Sequence, residues 1–330
     1  MGVIFSNAIT YGNPPKREDD RQIGLRTFQV SNCEKYMLEN WASAFSEENI
    51  PNHAVVYNTL GNIMGPNLMQ GLEDLRNGNC NMVVMENLPT NSVKTSENIA
   101  LLISDAMGLK CVGSPDVQNG RPIHHITPRQ GFEHTSSSSG KNPMSFHTDG
   151  SFRKVPFPFL LLYFVKVDPK TSTDFYLISK LLSQLPSSDI DEMQKPHFII
   201  YAPEGATDRR GSIISPLISG DERQMFSLRF PSNIIKNVTP LTRNAKDTLD
   251  NINKIMQTIK PSIQIKESGS LVIANNGHWT NMRSPLGFLH GRSVRIEDPN
   301  RLVLRGQCNK IIRTNLFWGA GQMFLNNWFR

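Results

Sequence analysis

Ser145-Phe146-His147-Thr148-Asp149, followed by the apolar run Phe157-Pro158-Phe159-Leu160-Leu161-Leu162-Tyr163-Phe164-Val165, decides how the rest of this 330-residue sequence is read. In an extended segment the side chains at i and i+2 share a face. A strand ending at His147-Thr148-Asp149 therefore presents imidazole and carboxylate together and turns Thr148 away. The pair alone is weak evidence, because 8 His and 29 acidic residues in a chain of this length give about 0.7 His-x-acid pairs by chance. Its place at the end of a strand, with a second strand close behind, gives it weight.

Working outward, strand signals dominate after the pair: Phe157 to Val167, His197 to Tyr201, Met225 to Arg229, Leu271 to Ala274, Leu302 to Leu304 and Lys310 to Phe317, with Met144 to His147 leading into it. Helical spacing interrupts twice, at Asp174 to Leu185 and through Ala245, Leu249, Ile252, Met256 and Ile259. Upstream, Cys33 to Asn49, Leu68 to Leu75 and Ser96 to Met107 read as helices, the last stopping at Gly108. Short strands are expected at Asn81 to Met85 and Pro122 to Ile126. The small polar run Thr135 to Gly140 cannot bury apolar surface and reads as a flexible loop. Strands without a strict strand-helix alternation predict a mainly β protein with α, a sandwich or barrel with helices packed outside. Residues 1–30 read as a polar N-terminal arm or edge segment and 31–330 as a single domain with helical insertions.

Bulk properties narrow the class. The net charge of +6 is spread without a polybasic block, so the sequence requests no nucleic-acid partner. The longest apolar stretch is of strand length, short of the roughly 18 residues a membrane span needs. Cys33, Cys80, Cys111 and Cys308 lie far apart with no Cys-x-x-Cys, which indicates neither a zinc ribbon nor a disulfide framework. They read as buried small hydrophobes in a reducing, cytoplasmic setting. The N-terminus lacks a secretory pattern; Gly2 with Ser6 fits the myristoylation motif, which is short and common by chance.

His290-Gly291-Arg292 lies 143 residues beyond His147, with Arg301 and Arg305 behind it. Two neutral imidazoles and one carboxylate on one face of a metal leave three positions open, the need of a non-haem Fe(II) oxygenase for co-substrate and dioxygen. A second strand facing the first supplies the distant histidine. Arg301 follows it by 11 residues, enough for the next strand to return and aim a guanidinium at the same cavity. Arg grips a planar carboxylate with two parallel hydrogen bonds.

From about Leu72 to Phe317 the chain resembles the clavaminate synthase-like branch of the Fe(II)/2-oxoglutarate oxygenases, whose relatives include taurine dioxygenase and the asparagine and arginine hydroxylases of peptide antibiotic pathways. Four stretches carry the resemblance: Leu72-Glu73-Asp74-Leu75-Arg76-Asn77-Gly78 running to Leu88-Pro89; Ser145-Phe146-His147-Thr148-Asp149 with its apolar strand; Leu289-His290-Gly291-Arg292; and Arg301-Leu302-Val303-Leu304-Arg305. The resemblance implies a double-stranded β-helix, or jelly roll, with Fe(II) held by His147, Asp149 and His290. It implies that Arg301 binds the distal carboxylate of 2-oxoglutarate with Thr173 as a hydroxyl partner. Arg305 falls on the same strand face, four residues on, to assist the co-substrate or to bind an anionic group of the prime substrate. The implied partners are dioxygen and a small polar substrate, by resemblance an amino acid or derivative, hydroxylated or desaturated with release of succinate and CO₂. An Ala or Gly at 149 would have opened a halide site.

Two features depart from the family. A long insertion, Asn275 to Phe288, separates the strand at Leu271 to Ala274 from His290, which makes His278 a rival ligand. Many relatives also carry Glu where Asp149 stands. Adjacent strand residues His124 and His125 face opposite ways and cannot both enter one site; they read as sheet residues or substrate contacts. Trp279, Arg283 and Phe288 are candidate pocket walls or loop packing. His134 with the serine run is a candidate lid or a plain connection, and His53 and His197 read as residues without chemistry. Competing functions are hydroxylation of a peptide or carrier-bound residue, and a jelly-roll binding or interaction protein without catalysis.

Overall fold

A computed structural model describes residues 24–45, 49–112, 121–203, 211–220, 226–279 and 287–311. With elements numbered in chain order, the larger sheet contains β1 (Leu25–Gln29), β2 (Met82–Glu86), β14 (Ser270–Asn275), β6 (Phe159–Lys166), β17 (Leu302–Lys310) and β3 (Leu109–Cys111) side by side, with β4 (Ile123–Ile126) also paired to β17. A second sheet runs β13 (Ile263–Ile265), β7 (Thr173–Leu177), β16 (Phe288–Arg292), β5 (Met144–His147). Two small sheets flank it: β12 (Val238–Pro240), β8 (Phe198–Tyr201), β9 (Ser212–Ser215); and β10 (Ile218–Gly220), β11 (Phe226–Leu228), β15 (His278–Trp279). The helices are α1 (Asn32–Ser43), α2 (His53–Asn77), α3 (Val93–Ala106), α4 (Ile178–Leu182), α5 (Ser187–Met193), α6 (Ile234–Asn237) and α7 (Arg243–Thr258). No described helix is long and apolar enough to cross a membrane.

Side-chain alternation explains the layering. On β6, Leu160, Leu162 and Phe164 point inward and join Val84, Val272, Ala274 and Val303 against Phe175, Leu177 and Phe288 of the second sheet. The alternate residues Leu161, Tyr163 and Val165, with Val83, Ile273 and Leu304, turn outward onto the core shared with α1, α2 and α3. A sheet covered on both faces needs strands that are apolar at every position, which is why the run from Phe159 to Val165 shows no polar alternation. Each fully buried Leu or Phe contributes about 1.5–3 kcal/mol. Beyond the second sheet, Tyr176 and Leu289 pack on a third core built with α4, α7 and β8.

Several expectations need correction. Leu25–Gln29, expected within a polar arm or edge segment, is a strand at the edge of the larger sheet, paired in parallel with β2; residues 1–23, including Gly2, lie outside the described residues. Asp174 to Leu185 is not one helix. Its first part is β7, paired with both β13 and β16, and only Ile178–Leu182 is helical. A short apolar run fits either period, and sheet pairing decides. The strand expected at Leu302 to Leu304 continues unbroken to Lys310, and 312–317 lie outside the described residues, as does Met225. The run Thr135 to Gly140 is a loop, as expected, and makes turns in which Thr135 N–H donates to Phe132 O and Gly140 N–H to Ser137 O. Cys111 and Cys308, expected as separate small hydrophobes, face each other across β3 and β17 and form a disulfide; Cys33 and Cys80 are free.

Candidate active site

β5 and β16 run antiparallel with His147 opposite His290, so the two imidazoles meet as register partners with ring centroids 4.2 Å apart. This approach needs Gly291. A Cβ there would stand 2.6 Å from Phe146 Cδ1 and 2.7 Å from Met144 O, distances no real Cβ tolerates, so any other residue would push the two strands apart. His147 Nδ1 lies 2.9 Å from Ser145 O, and only an N–H can meet a carbonyl, so Nδ1 carries a proton and Nε2 is the nitrogen that faces the centre. Phe175 of the neighbouring strand flanks His290 at 6.2 Å between rings.

Asp149 is buried and its Oδ1 faces both histidines, 3.3 Å from His147 Nε2 and 3.2 Å from His290 Nε2. Its turn is anchored from the far end of β14. Asn276 Oδ1 accepts from Asp149 N–H at 2.9 Å, and Asn276 Nδ2 donates to the Asp149 and Phe157 carbonyls at 3.0 and 2.7 Å. Thr148 turns away as the i+2 rule requires, and its hydroxyl binds the backbone of Leu228 and Phe230. The other carboxylate oxygen, Oδ2, accepts from Gln307 Nε2 at 3.0 Å and lies 3.2 Å from Arg305 Nη1. Burial would raise the Asp149 carboxyl, but Arg305 with the two histidines outweighs it and holds it well below the usual carboxylate range. Burial, then the adjacent His147, pushes His290 down to about 4, so its imidazole is neutral at ordinary pH.

His147, Asp149 and His290 form a group whose ligand atoms lie within 4.8 Å of one another. Two imidazole nitrogens and a carboxylate oxygen facing one point suit a divalent transition metal. His278 stands elsewhere, on β15 opposite Ser227, with its Nδ1 at 3.3 Å from Asn276 O and its pKa pushed down to about 4 by burial.

Arg301 is buried just before β17, and its Nη2 donates to Thr173 Oγ1 at 3.4 Å, while Nη1 is buried without a partner. Thr173 lies two residues from Phe175, the register partner of His290, so it shares that inner face. Burial lowers the Arg301 pKa to about 10, leaving the guanidinium charged. A buried cation with a free N–H beside a hydroxyl is an anion receptor in waiting.

Three residues escaped the sequence reading. Gln307 and Asn276 hold Asp149. Arg292, two residues past His290, donates through Nη2 to the carbonyls of Gly140 and Asn142 and so ties the serine loop to the mouth of β5. His124 is buried opposite Arg305 on β17, with Nδ1 unpartnered and Nε2 3.4 Å from Ser138 Oγ, whereas His125 faces outward onto Glu97. Parity on the strand separates the two, but only the pairing of β4 with β17 reveals which one faces the centre. Phe288 is no pocket wall: it stands edge-on to Phe175 in the core between the sheets. Arg283 and the Trp279 side chain lie outside the described residues. His53 binds Asp105 and His197 binds Glu192, both away from the centre, and His134 is exposed.

No family model matches this sequence. Among solved structures, the chain is similar to an asparagine oxygenase in complex with Fe(II), 2S,3S-3-hydroxyasparagine and succinate, at 16% identity over 85% of this chain and 92% of that one, with a TM-score of 0.68. It is similar to the non-heme iron oxygenase OrfP with Fe and alpha-ketoglutaric acid, at 15% identity over 86% and 93%, TM-score 0.68. OrfP with Fe, succinate and (3R,4R)-dihydroxy-L-Arg aligns at 15% identity over 87% and 95%, TM-score 0.70. The chain thus has the mixed sheet-and-helix fold of these iron oxygenases.

Proposed function

We propose that this protein is an Fe(II)- and 2-oxoglutarate-dependent oxygenase whose two facing sheets form a double-stranded β-helix, and that it hydroxylates or desaturates an unactivated C–H bond of an amino acid or amino-acid derivative. The observation that carries the reading is the meeting of His147, Asp149 and His290 in one buried cluster on a fold shared with iron oxygenases. Iron, 2-oxoglutarate and dioxygen would supply the oxidant there, with succinate and CO₂ as co-products.

The chain's own residues would do the rest. His147, Asp149 and His290 hold the metal through His147 Nε2, His290 Nε2 and Asp149 Oδ1, and the Ser145 carbonyl fixes the His147 tautomer. Arg301, with Thr173, grips the distal carboxylate of the co-substrate through its unpartnered N–H. Arg305 and His124, facing each other across β17 and β4, offer donors to an anionic group of the prime substrate. An α-carboxylate fits them, in line with the hydroxylated asparagine and arginine bound by the similar enzymes.

The test is a screen of amino acids for stimulated succinate formation, with protein loaded anaerobically with Fe(II) before 2-oxoglutarate and air are admitted. At least one amino acid should stimulate turnover in the wild type, and His147→Ala should abolish it. Equal turnover in both proteins refutes the site. A wild type that binds metal and co-substrate yet forms no succinate with any amino acid or peptide would be a binding module.

A further inference from the structure

The two oxygens of Asp149 have different surroundings. Oδ1 faces the imidazoles, at 3.2 and 3.3 Å, and Oδ2 is met from the opposite side by Gln307 Nε2 and Arg305 Nη1, at 3.0 and 3.2 Å. Resting on the iron site proposed above, we infer that Gln307 is a positioning residue that commits Oδ2 to β17, so that Asp149 offers a metal one oxygen and not two.

Carboxylates bind cations through one oxygen or through both. The choice matters at a six-position metal: three single-atom protein ligands leave three places, two for the 2-oxo acid end of the co-substrate and one for dioxygen. A carboxylate closing down with both oxygens leaves two, which the co-substrate alone would fill. Holding Oδ2 away therefore preserves the third place.

Arg305 also touches Oδ2, but its Nε has no partner, and its position opposite His124 makes it the group that a substrate anion would draw off. Gln307 is better suited to a permanent hold. Its backbone pairs with Leu160 of β6 on one side and accepts from Val112 N–H at 2.8 Å on the other, next to the Cys308–Cys111 link. Its amide is neutral, so it orients the carboxylate without adding a second buried cation.

The test uses the full-length protein with Co(II) in place of iron, under argon, following the visible d–d absorption, which reports coordination number, while 2-oxoglutarate is added. Gln307→Met keeps the volume and removes the donor; Gln307→Glu keeps the shape and turns the donor into an acceptor. In both variants Co(II) should bind no more weakly than in the wild type, because Oδ2 becomes free to join it. 2-Oxoglutarate should still bind, but azide added after it as a stand-in for dioxygen should bind about tenfold or more weakly than in the wild type, because Oδ2 then fills the third place. Wild-type constants and spectra in Gln307→Met overturn the inference, as does a loss of Co(II) affinity with no separate effect on azide, which would mark general loosening. If the wild type gives succinate and Gln307→Met is unchanged, only the role of Gln307 falls; a wild type that binds no Co(II) removes the iron site as well.

Discussion

Arg301 is the residue whose environment makes the sharpest demand. Its guanidinium remains charged, has one weak hydroxyl contact and keeps an N–H with no protein partner, so a carboxylate from outside would complete it. A hydrogen bond between charged groups is worth about 1.5–3 kcal/mol. Arg301→Ala should therefore raise the 2-oxoglutarate concentration for half-maximal turnover by about 10–100-fold, measured by succinate release; an unchanged requirement would move the carboxylate receptor elsewhere. At this scale the sequence was informative where a local rule applies. The i, i+2 step put His147 and Asp149 on one face and turned Thr148 away. It could not choose between His278 and His290, because that depends on which residue of the 276–290 stretch pairs with His147. Gln307 and Asn276 were out of reach for the same reason: each acts across strands that no short motif brings together.

Among the elements, the β5/β16 pair does the assembling. The missing side chain at Gly291 lets Phe146 and the Met144 carbonyl come close enough for His147 and His290 to meet. Gly291→Ala should cost about 1–3 kcal/mol in stability, as overpacking does, and should weaken Co(II) binding more than it lowers the chemical-denaturation midpoint would suggest. A variant with wild-type Co(II) affinity would show that the strands separate without spreading the ligands. Strands with long uniform runs, β6 and β14, were legible because both their faces are buried. β7 was not, since Asp174-Phe175-Tyr176-Leu177 runs straight into the helix Ile178–Leu182 and the apolar spacing of the two blends. The unbroken length of β17 was hidden by its polar members Arg305, Gln307 and Asn309, two of which point at the centre.

Across the whole molecule, the layered class of fold could be read from composition and strand spacing, while the disulfide between Cys111 and Cys308, 197 residues apart, could not. Acid sensitivity also belongs to this scale. His124 and His278 have folded pKa values lowered to about 3 and about 4, first by burial, against 6.5 when free. The unfolded chain thus takes up protons first, so this contribution is intact above pH 6.5 and is lost as pH falls from there toward the folded values. The metal-free protein should show a melting temperature that declines between pH 6.5 and 4, and His278→Gln should flatten part of that decline in a thermal scan. A slope identical in the variant would assign the acid response to other groups. The register that sets His147 against His290 has one more consequence. Because the strands that carry His147 and His290 lie far apart in the sequence, a nascent polypeptide halted before residue 288 has His147 and Asp149 but not β16, and cannot close the cluster. On the proposed iron site, metal capture would wait for translation to pass β16, and a tightly held ion would certify that this strand has docked.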